Sequence, residues 1–161
     1  MTIKVGDSIP AATLTKVTEA GPAPVSTADF FGGRTVVLFS VPGAFTPTCS
    51  AKHLPGFVVN AETIKQHGVD EIVCLSVNDA FVMRAWGQSA DVAGKVTMLA
   101  DGSADFAKAL GLEADFSKFG MGIRSQRFSM LVKDGVVTHL NVEEPGAFAV
   151  SSAEHLMGQL K

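Results

Sequence analysis

Short apolar runs bounded by glycine and proline recur along the chain. Residues 35–41 read TVVLFSV and lie between a Gly-Gly pair and a Pro-Gly pair. Similar runs occupy residues 71–77 and 96–100. Runs of this length and composition are typical of strands that are buried on both faces of a sheet. The pattern therefore predicts three buried strands.

A hairpin is predicted towards the carboxyl-terminal end. Residues 127–132 and 136–142 are strand-like runs, and Lys133, Asp134 and Gly135 separate them. An Asp-Gly pair between two such runs is a strong signal for a tight hairpin turn.

Helical periodicity fills the intervals between the predicted strands. One helix begins near position 57 and stops at Gly68. Asp79, Ser103 and Ser151 are the predicted N-caps of three more helices, and Glu154 stands at capping-box spacing from Ser151. Strands alternating with helices, followed by a hairpin and a last helix, predict a three-layer α/β fold. The length of 161 residues suits a single domain over residues 1–161.

Composition narrows the class of partner. The chain is 47% hydrophobic and 18% charged, which is typical of a soluble globular protein. Its formal net charge of -3 gives no electrostatic basis for binding nucleic acid or an anionic membrane. No apolar run is long enough to span a bilayer, and residues 1–10 lack the apolar core of a secretory signal. We therefore expect neither nucleic acid nor a membrane as a partner.

The chain has two cysteines, Cys49 and Cys74, and no Cys-x-x-Cys pair. Two cysteines are too few for a disulfide scaffold, so a cytoplasmic, reducing location is expected. Cys74 lies inside an apolar run, which predicts a buried thiol of the core. Its rigid position in a strand also argues against a disulfide with Cys49.

The stretch PGAFTPTC ends at Cys49 and directly follows the first buried strand. Thr46 followed by Pro47 is a helix-start signal that makes Thr46 the N-cap and puts Cys49 at the third helical position. Unpaired N–H groups and the positive end of the helix dipole would stabilise a thiolate there. The Thr46 hydroxyl would reach the same sulfur. The alternative is an ordinary half-buried cysteine in a helix first turn.

The pattern Pro42-x-x-x-Thr46-x-x-Cys49 resembles the active-site signature of the peroxiredoxins. The strings PGAFTPTCSAKHLPGF, LSVNDAFV and RFSMLVKDG are similar to the type-five, or type II, subfamily. The similarity extends over essentially the whole chain. It implies a thioredoxin-like α/β fold, with a central mixed sheet flanked by helices. It also implies reduction of hydrogen peroxide and organic hydroperoxides at a cysteine.

The resemblance also implies roles for four residues. Cys49 matches the peroxidatic cysteine and Thr46 the threonine that binds peroxide. Pro42 matches the proline that shields the site, and Arg127 matches the arginine that orients thiolate and peroxide. An arginine opening a strand presents several donors to S⁻ and to a developing O⁻. Arg124, in the preceding loop, is the competing candidate.

Recycling is expected to need an external thiol. Some members of the subfamily carry a resolving cysteine near the last helix, but this chain has no cysteine after Cys74. The resemblance therefore implies a one-cysteine variant that uses glutathione with glutaredoxin, or else thioredoxin. It further implies a homodimer formed by loops around the site, with Phe45 and Phe81 near the contact. No cofactor or metal is expected, because neither dinucleotide motifs nor metal-ligand spacings occur.

Other readings of the cysteine remain open at this level. His53, four residues after Cys49, is expected to pack or to support the site from outside it. A cysteine hydrolase would need a histidine across the site, and a disulfide oxidoreductase would use the absent Cys-x-x-Cys pair. A binding module in which Cys49 only senses redox state is the non-enzymatic alternative.

Overall fold

The computed structural model describes residues 2–161, which form a central seven-stranded sheet with helices on both faces and a small second sheet. The strands are β1 Thr13–Thr18, β2 Gly21–Ser26, β3 Thr35–Val41, β4 Glu71–Ser76, β5 Thr97–Ala100, β6 Glu113–Asp115, β7 Ile123–Ser125, β8 Phe128–Lys133 and β9 Val136–Val142. The helices are α1 Thr27–Phe31, α2 Leu54–Val59, α3 Ala61–Gln66, α4 Ala80–Ser89, α5 Asp105–Leu110 and α6 Ala153–Leu160. A π-helical turn, Cys49–His53, leads into α2, and Ser117–Phe119 form a short 3₁₀ turn.

The large sheet is mixed, with the order β2-β1-β5-β4-β3-β8-β9. Strands β3, β4 and β5 are parallel, whereas β8 is antiparallel to β3 and β1 is antiparallel to β5. The three predicted buried strands and the predicted hairpin strands are all present. Because β3 has neighbours on both sides, the loop that leaves its carboxyl end emerges near the middle of the sheet.

Alternate residues of β3 point to opposite faces and enter two separate apolar clusters. Phe39 belongs to the cluster under α2, α3, α4 and α6, together with Phe57 and Trp86. Leu38 belongs to the cluster under α1 and α5, together with Phe106. The sheet therefore lies between two helical layers, as the sequence predicts.

The hairpin and one helix cap are confirmed. Asp134 and Gly135 connect β8 to β9 with φ values of 49° and 75°, the left-handed conformation that a two-residue hairpin turn requires. The Asp79 carboxylate accepts a hydrogen bond from the Val82 N–H at 2.9 Å and so begins α4.

Two predicted caps are wrong. Helix α5 is begun by the Asp101 carboxylate, which accepts from the N–H groups of Phe106 and Ala107 at 3.1 and 2.9 Å, rather than by Ser103. Helix α6 is capped by Ser152, which accepts from the His155 N–H at 3.2 Å. Ser151, the predicted cap of α6, is fully buried, and its hydroxyl donates to the Glu143 carboxylate at 2.7 Å instead of capping the helix.

The hairpin of β1 and β2 is an addition to the predicted elements. Strand β2 lies at one edge of the sheet and contains Pro22 and Pro24. Proline lacks an N–H group, and an edge position tolerates it because one side of the strand needs no partner. Within residues 2–161, no helix is both long and apolar enough to cross a membrane.

Candidate active site

The loop that follows β3 turns into a helix at Pro47. The first backbone bond of this helix joins the Ser50 N–H to the Thr46 carbonyl at 2.9 Å. The N–H groups of Thr48 and Cys49 precede that bond and therefore have no intrahelical acceptor, and Pro47 has no N–H at all. The predicted positions of Thr46 and Cys49 at the helix start are thus observed.

The helix widens into a π turn over Cys49–His53, where the Leu54 N–H bonds to the Cys49 carbonyl. Such turns accommodate one extra residue and occur frequently at functional sites. From the side, the Trp86 indole N–H donates to the Ser50 hydroxyl at 3.1 Å. Cys49 and His53, at the two ends of the turn, are both fully buried.

The Cys49 sulfur lies between two polar side chains. The Thr46 hydroxyl oxygen is 2.8 Å from Cys49 Sγ, and Arg127 Nη2 donates to the same sulfur at 3.0 Å. The Gly43 carbonyl, 2.7 Å from the Thr46 hydroxyl, is a second acceptor within reach of its single proton. A guanidinium and a hydroxyl on one sulfur are donors that can stabilise an oxyanion formed beside it.

Arg127 is held in turn by His53. Arg127 Nη1 donates to His53 Nδ1 at 2.8 Å, and His53 Nε2 donates to the Ser151 carbonyl at 2.9 Å. Burial, reinforced by the Arg127 cation, lowers the pKa of His53 to about 3. The ring is therefore neutral, with its proton on Nε2. Its role is more specific than the packing or outside support expected from the sequence.

An apolar cavity of about 440 Å³ opens beside the cysteine. Pro42, Thr46 and Arg127 all line it, and Thr46 and Arg127 also contact the sulfur of the fully buried Cys49. Arg124, the competing arginine, instead donates to the carbonyls of Met121 and Pro42, at 2.9 and 3.4 Å. The side chains that make the cavity wall apolar are those of Pro47, Phe116, Phe119, Met121 and Pro145.

Cys74 is fully buried in β4, opposite Phe39 of β3. Burial, and to a lesser degree the neighbouring Cys49, raises the pKa of the Cys74 thiol well above its ordinary value. Both cysteines are free thiols in the structure. The predicted core position of Cys74 is confirmed. No cluster of three or more metal-ligating side chains occurs among the residues described.

Comparison with known proteins identifies the family. The Redoxin family model matches residues 4–157. Peroxiredoxin-2E-2, chloroplastic, from Oryza sativa subsp. japonica is 51% identical over 164 residues, which cover 99% of this chain and 73% of that protein. Peroxiredoxin-2B from Arabidopsis thaliana is 47% identical over 159 residues, 98% of each protein. The chain belongs to the peroxiredoxin family.

A solved structure supports the fold of this peroxiredoxin. Reduced Prx3 from Vibrio vulnificus, crystallised in complex with H₂O₂, is 52% identical and superposes with a TM-score of 0.95. The match covers 99% of this chain and 100% of that one. The expected thioredoxin-like fold, a central mixed sheet flanked by helices, is confirmed. As a peroxiredoxin, the protein is a thiol peroxidase, an antioxidant oxidoreductase that reduces peroxide through a cysteine.

Two residues of the site were missed by the sequence predictions. Glu143 and Ser151 lie next to the His53–Arg127 pair and bond to each other, although neither belongs to the matched signature. Glu143 comes opposite Arg127 only because a β-bulge at Leu131/Val132 shifts the register of the hairpin by one residue. A regular hairpin would put Val142 there, so the sequence pattern did not indicate this pair. Nothing in the sequence pattern links Ser151 to His53, because their contact joins segments 98 residues apart.

Proposed function

We propose that this peroxiredoxin reduces hydrogen peroxide and organic hydroperoxides at Cys49. The position of the Cys49 sulfur between the Thr46 hydroxyl and the Arg127 guanidinium carries this proposal. The thiolate attacks one peroxide oxygen, the O–O bond breaks, and the other oxygen leaves as RO⁻. The sulfur becomes sulfenic acid, and RO⁻ takes up a proton to give water or an alcohol.

Each of the other three predicted residues has a part in this step. Arg127 holds the thiolate and stabilises negative charge as the O–O bond breaks. The Thr46 hydroxyl and the free N–H groups of the helix start bind the peroxide oxygens. Pro42, at the cavity wall, shields the thiolate from bulk water. The H₂O₂ bound by the Vibrio vulnificus relative supports this substrate.

The cavity supports organic hydroperoxides as a second substrate class. Most of its wall beside Thr46 and Arg127 is apolar. An alkyl or aryl group would displace water from that wall, which is favourable in proportion to the apolar area covered. Hydrogen peroxide has no such group and would gain nothing from the cavity.

We further propose that the enzyme is a one-cysteine, type-five peroxiredoxin. Cys74 is rigidly held and buried in β4, so the sulfenic acid has no mobile partner on the chain. An external thiol would condense with it to give a mixed disulfide and water, and a second thiol would release Cys49 by exchange. Glutathione with glutaredoxin is the first choice because a small thiol fits a narrow site, and thioredoxin is the second.

A panel of reductants at fixed peroxide tests the function. Turnover is measured with glutathione, with glutathione plus glutaredoxin, and with thioredoxin. We expect turnover fastest with glutathione plus glutaredoxin, and one glutathione adduct on Cys49 by intact mass after one equivalent of peroxide. A single stoichiometric oxidation with every reductant would identify a redox sensor instead. An internal Cys49–Cys74 disulfide would contradict the one-cysteine assignment.

Assembly and location complete the proposal. Phe45 and Phe81 are 53% and 72% exposed, which is unusual for large apolar side chains and supports a homodimer formed around the site. Two free cysteines without a disulfide suit a cytoplasmic, reducing location.

A further inference from the structure

A chain of hydrogen bonds leads from Glu143 to the Cys49 sulfur through Ser151, His53 and Arg127. We infer that Glu143 is a positioning residue for peroxide reduction. Its carboxylate fixes Ser151, the Ser151 carbonyl fixes the His53 ring, and the ring fixes Arg127 against the sulfur. The inference rests on the proposed function and adds a residue that the family signature does not contain.

Glu143 stands directly after β9 and is 6% exposed. Its N–H donates to the Arg127 carbonyl at 2.9 Å, so the two residues continue the ladder of β8 and β9 one step past the pair of Phe128 and Val142. Although they are backbone partners, the Glu143 carboxylate does not bond to the Arg127 guanidinium. It bonds to the loop that precedes α6.

One oxygen of Glu143 accepts four hydrogen bonds from that loop. Oε2 lies 2.8, 2.9 and 2.8 Å from the N–H groups of Ala149, Val150 and Ser151, and 2.7 Å from the Ser151 hydroxyl. Burial alone would raise the pKa of Glu143, but these bonds outweigh burial and lower it. The loop is therefore folded around a charged carboxylate, and charge-assisted bonds are the strong ones.

The Ser151 carbonyl then decides which nitrogen of His53 carries the proton. A carbonyl only accepts, so His53 Nε2, at 2.9 Å, must be the donor, and Nδ1 is left with a lone pair. Arg127 Nη1 needs that lone pair as its acceptor. With the proton on the other nitrogen, two N–H donors would face each other across this 2.8 Å contact. The Phe148 ring, 5.0 Å from the His53 ring, closes the side of the pair.

Arg127 carries the effect to the sulfur. Its guanidinium is planar and rigid, so fixing Nη1 on His53 also fixes the direction of Nη2 towards Cys49. Arg127 also lines the open cavity, where water molecules would compete as acceptors for its N–H groups. Loss of the His53 acceptor would let the guanidinium turn towards that water.

The test is Glu143→Gln with Glu62→Gln as the matched control, because Glu62 is exposed on α3 and has no role in the site. H₂O₂ is the probe, since it is too small to report on contacts with the cavity wall. We expect the rate constant of Cys49 oxidation to fall about tenfold to a hundredfold. This is the loss that corresponds to one hydrogen bond to a charged group, here the bond of Arg127 to the sulfur. We also expect ¹⁵N NMR to show that His53 no longer holds its proton on Nε2 alone.

A double-mutant cycle with His53→Gln separates positioning from general loosening. If Glu143 acts through His53, Glu143→Gln should add little to the loss caused by His53→Gln. Additive losses would overturn the inference. Ser151→Ala, which removes one of the four bonds, should give a smaller loss in the same direction and serves if Glu143→Gln does not fold.

The outcomes distinguish the inference from the proposed function. If wild-type protein turns over peroxide and Glu143→Gln matches Glu62→Gln in rate and His53 spectrum, only the positioning role fails. If wild-type protein does not turn over peroxide with any reductant, the proposed function fails.

Discussion

His53 accepts a hydrogen bond from Arg127 at 2.8 Å with a ring nitrogen that bears no proton. Each residue fixes the state of the other. The arginine is held so that its other terminal nitrogen meets the Cys49 sulfur at 3.0 Å, and the histidine stays neutral because it is buried beside that cation.

Arg127→Lys should slow the attack of Cys49 on peroxide by about 10²–10³-fold, the usual loss when one preorganised donor is removed. A lysine ammonium is a single point charge and does not bridge the sulfur and His53 as a planar guanidinium does. Stopped-flow oxidation of the reduced enzyme measures the rate. Arg84→Lys, at an exposed position on α4, is the control. A rate for Arg127→Lys equal to that of the control would remove Arg127 from the mechanism.

Thr46→Val should lower the same rate about tenfold to a hundredfold, because it removes a hydrogen bond to a charged group while keeping the side-chain shape. Thr46→Ser keeps the hydroxyl and should retain most of the rate. Equal rates for the two variants would show that Thr46 contributes only its backbone to the helix start.

Cys49→Ser should lose essentially all peroxidase activity, because serine is not ionised at neutral pH and is a weak nucleophile. Cys74→Ser should remain active with lower stability, since it puts a hydroxyl at a fully buried apolar position. Steady-state turnover and denaturant unfolding measure the two effects. Substantial turnover in Cys49→Ser would contradict the assignment of the nucleophile.

The free energy of unfolding should decrease as pH falls from about 6.5, the ordinary pKa of a histidine, towards the pKa of about 3 that His53 has in the folded state. Between these two pH values His53 is protonated in the unfolded state but not in the folded state. The limiting slope is therefore about 1.4 kcal/mol per pH unit, and the contribution is complete only above the window. His53→Gln should flatten the slope in urea titrations at stepped pH. An unchanged slope would show that other groups cause it.

Phe81→Asp should convert a dimer to monomer, because a charge at an exposed apolar contact loses its water on association. Light scattering in both redox states measures the mass. Val59→Asp alters another exposed apolar residue, which is 81% exposed and does not line the cavity at the site, and it should leave the mass unchanged. A monomeric wild-type protein at working concentration would contradict the dimer.

The sequence predicted the central strands, the hairpin and the Thr46–Cys49 helix start because their determinants are local. The predictions were wrong where a hydrogen-bond partner comes from a distant part of the chain, or where a neighbouring side chain competes for the same partner. Ser103 has the right residue type for a cap, but the Asp101 carboxylate takes the first N–H groups of α5. Ser151 is drawn away from capping α6 by Glu143.

The site shows the same division. The residue types and spacing at Thr46 and Cys49 were sufficient to predict their contact. The side chains at the N-cap and at the third helical position face each other, as they do in a capping box. The choice of Arg127 over Arg124 came from family resemblance and from the expectation that Arg124 lies in a loop. That expectation is wrong, because Arg124 lies in β7. The physical basis of the choice is the contact of Arg127 with Cys49.

The two prolines of β2 affect how the protein behaves at high concentration, where molecules can associate through their sheet edges. An edge strand with a free row of backbone groups invites a strand from another molecule, which is a common route to amyloid-like stacking. Pro22 and Pro24 remove two of the N–H groups that such a strand would need. At this edge the sheet is a poor template for another chain. Strand β2 is therefore the last strand on this side of the sheet, and it disfavours the addition of a strand from another molecule.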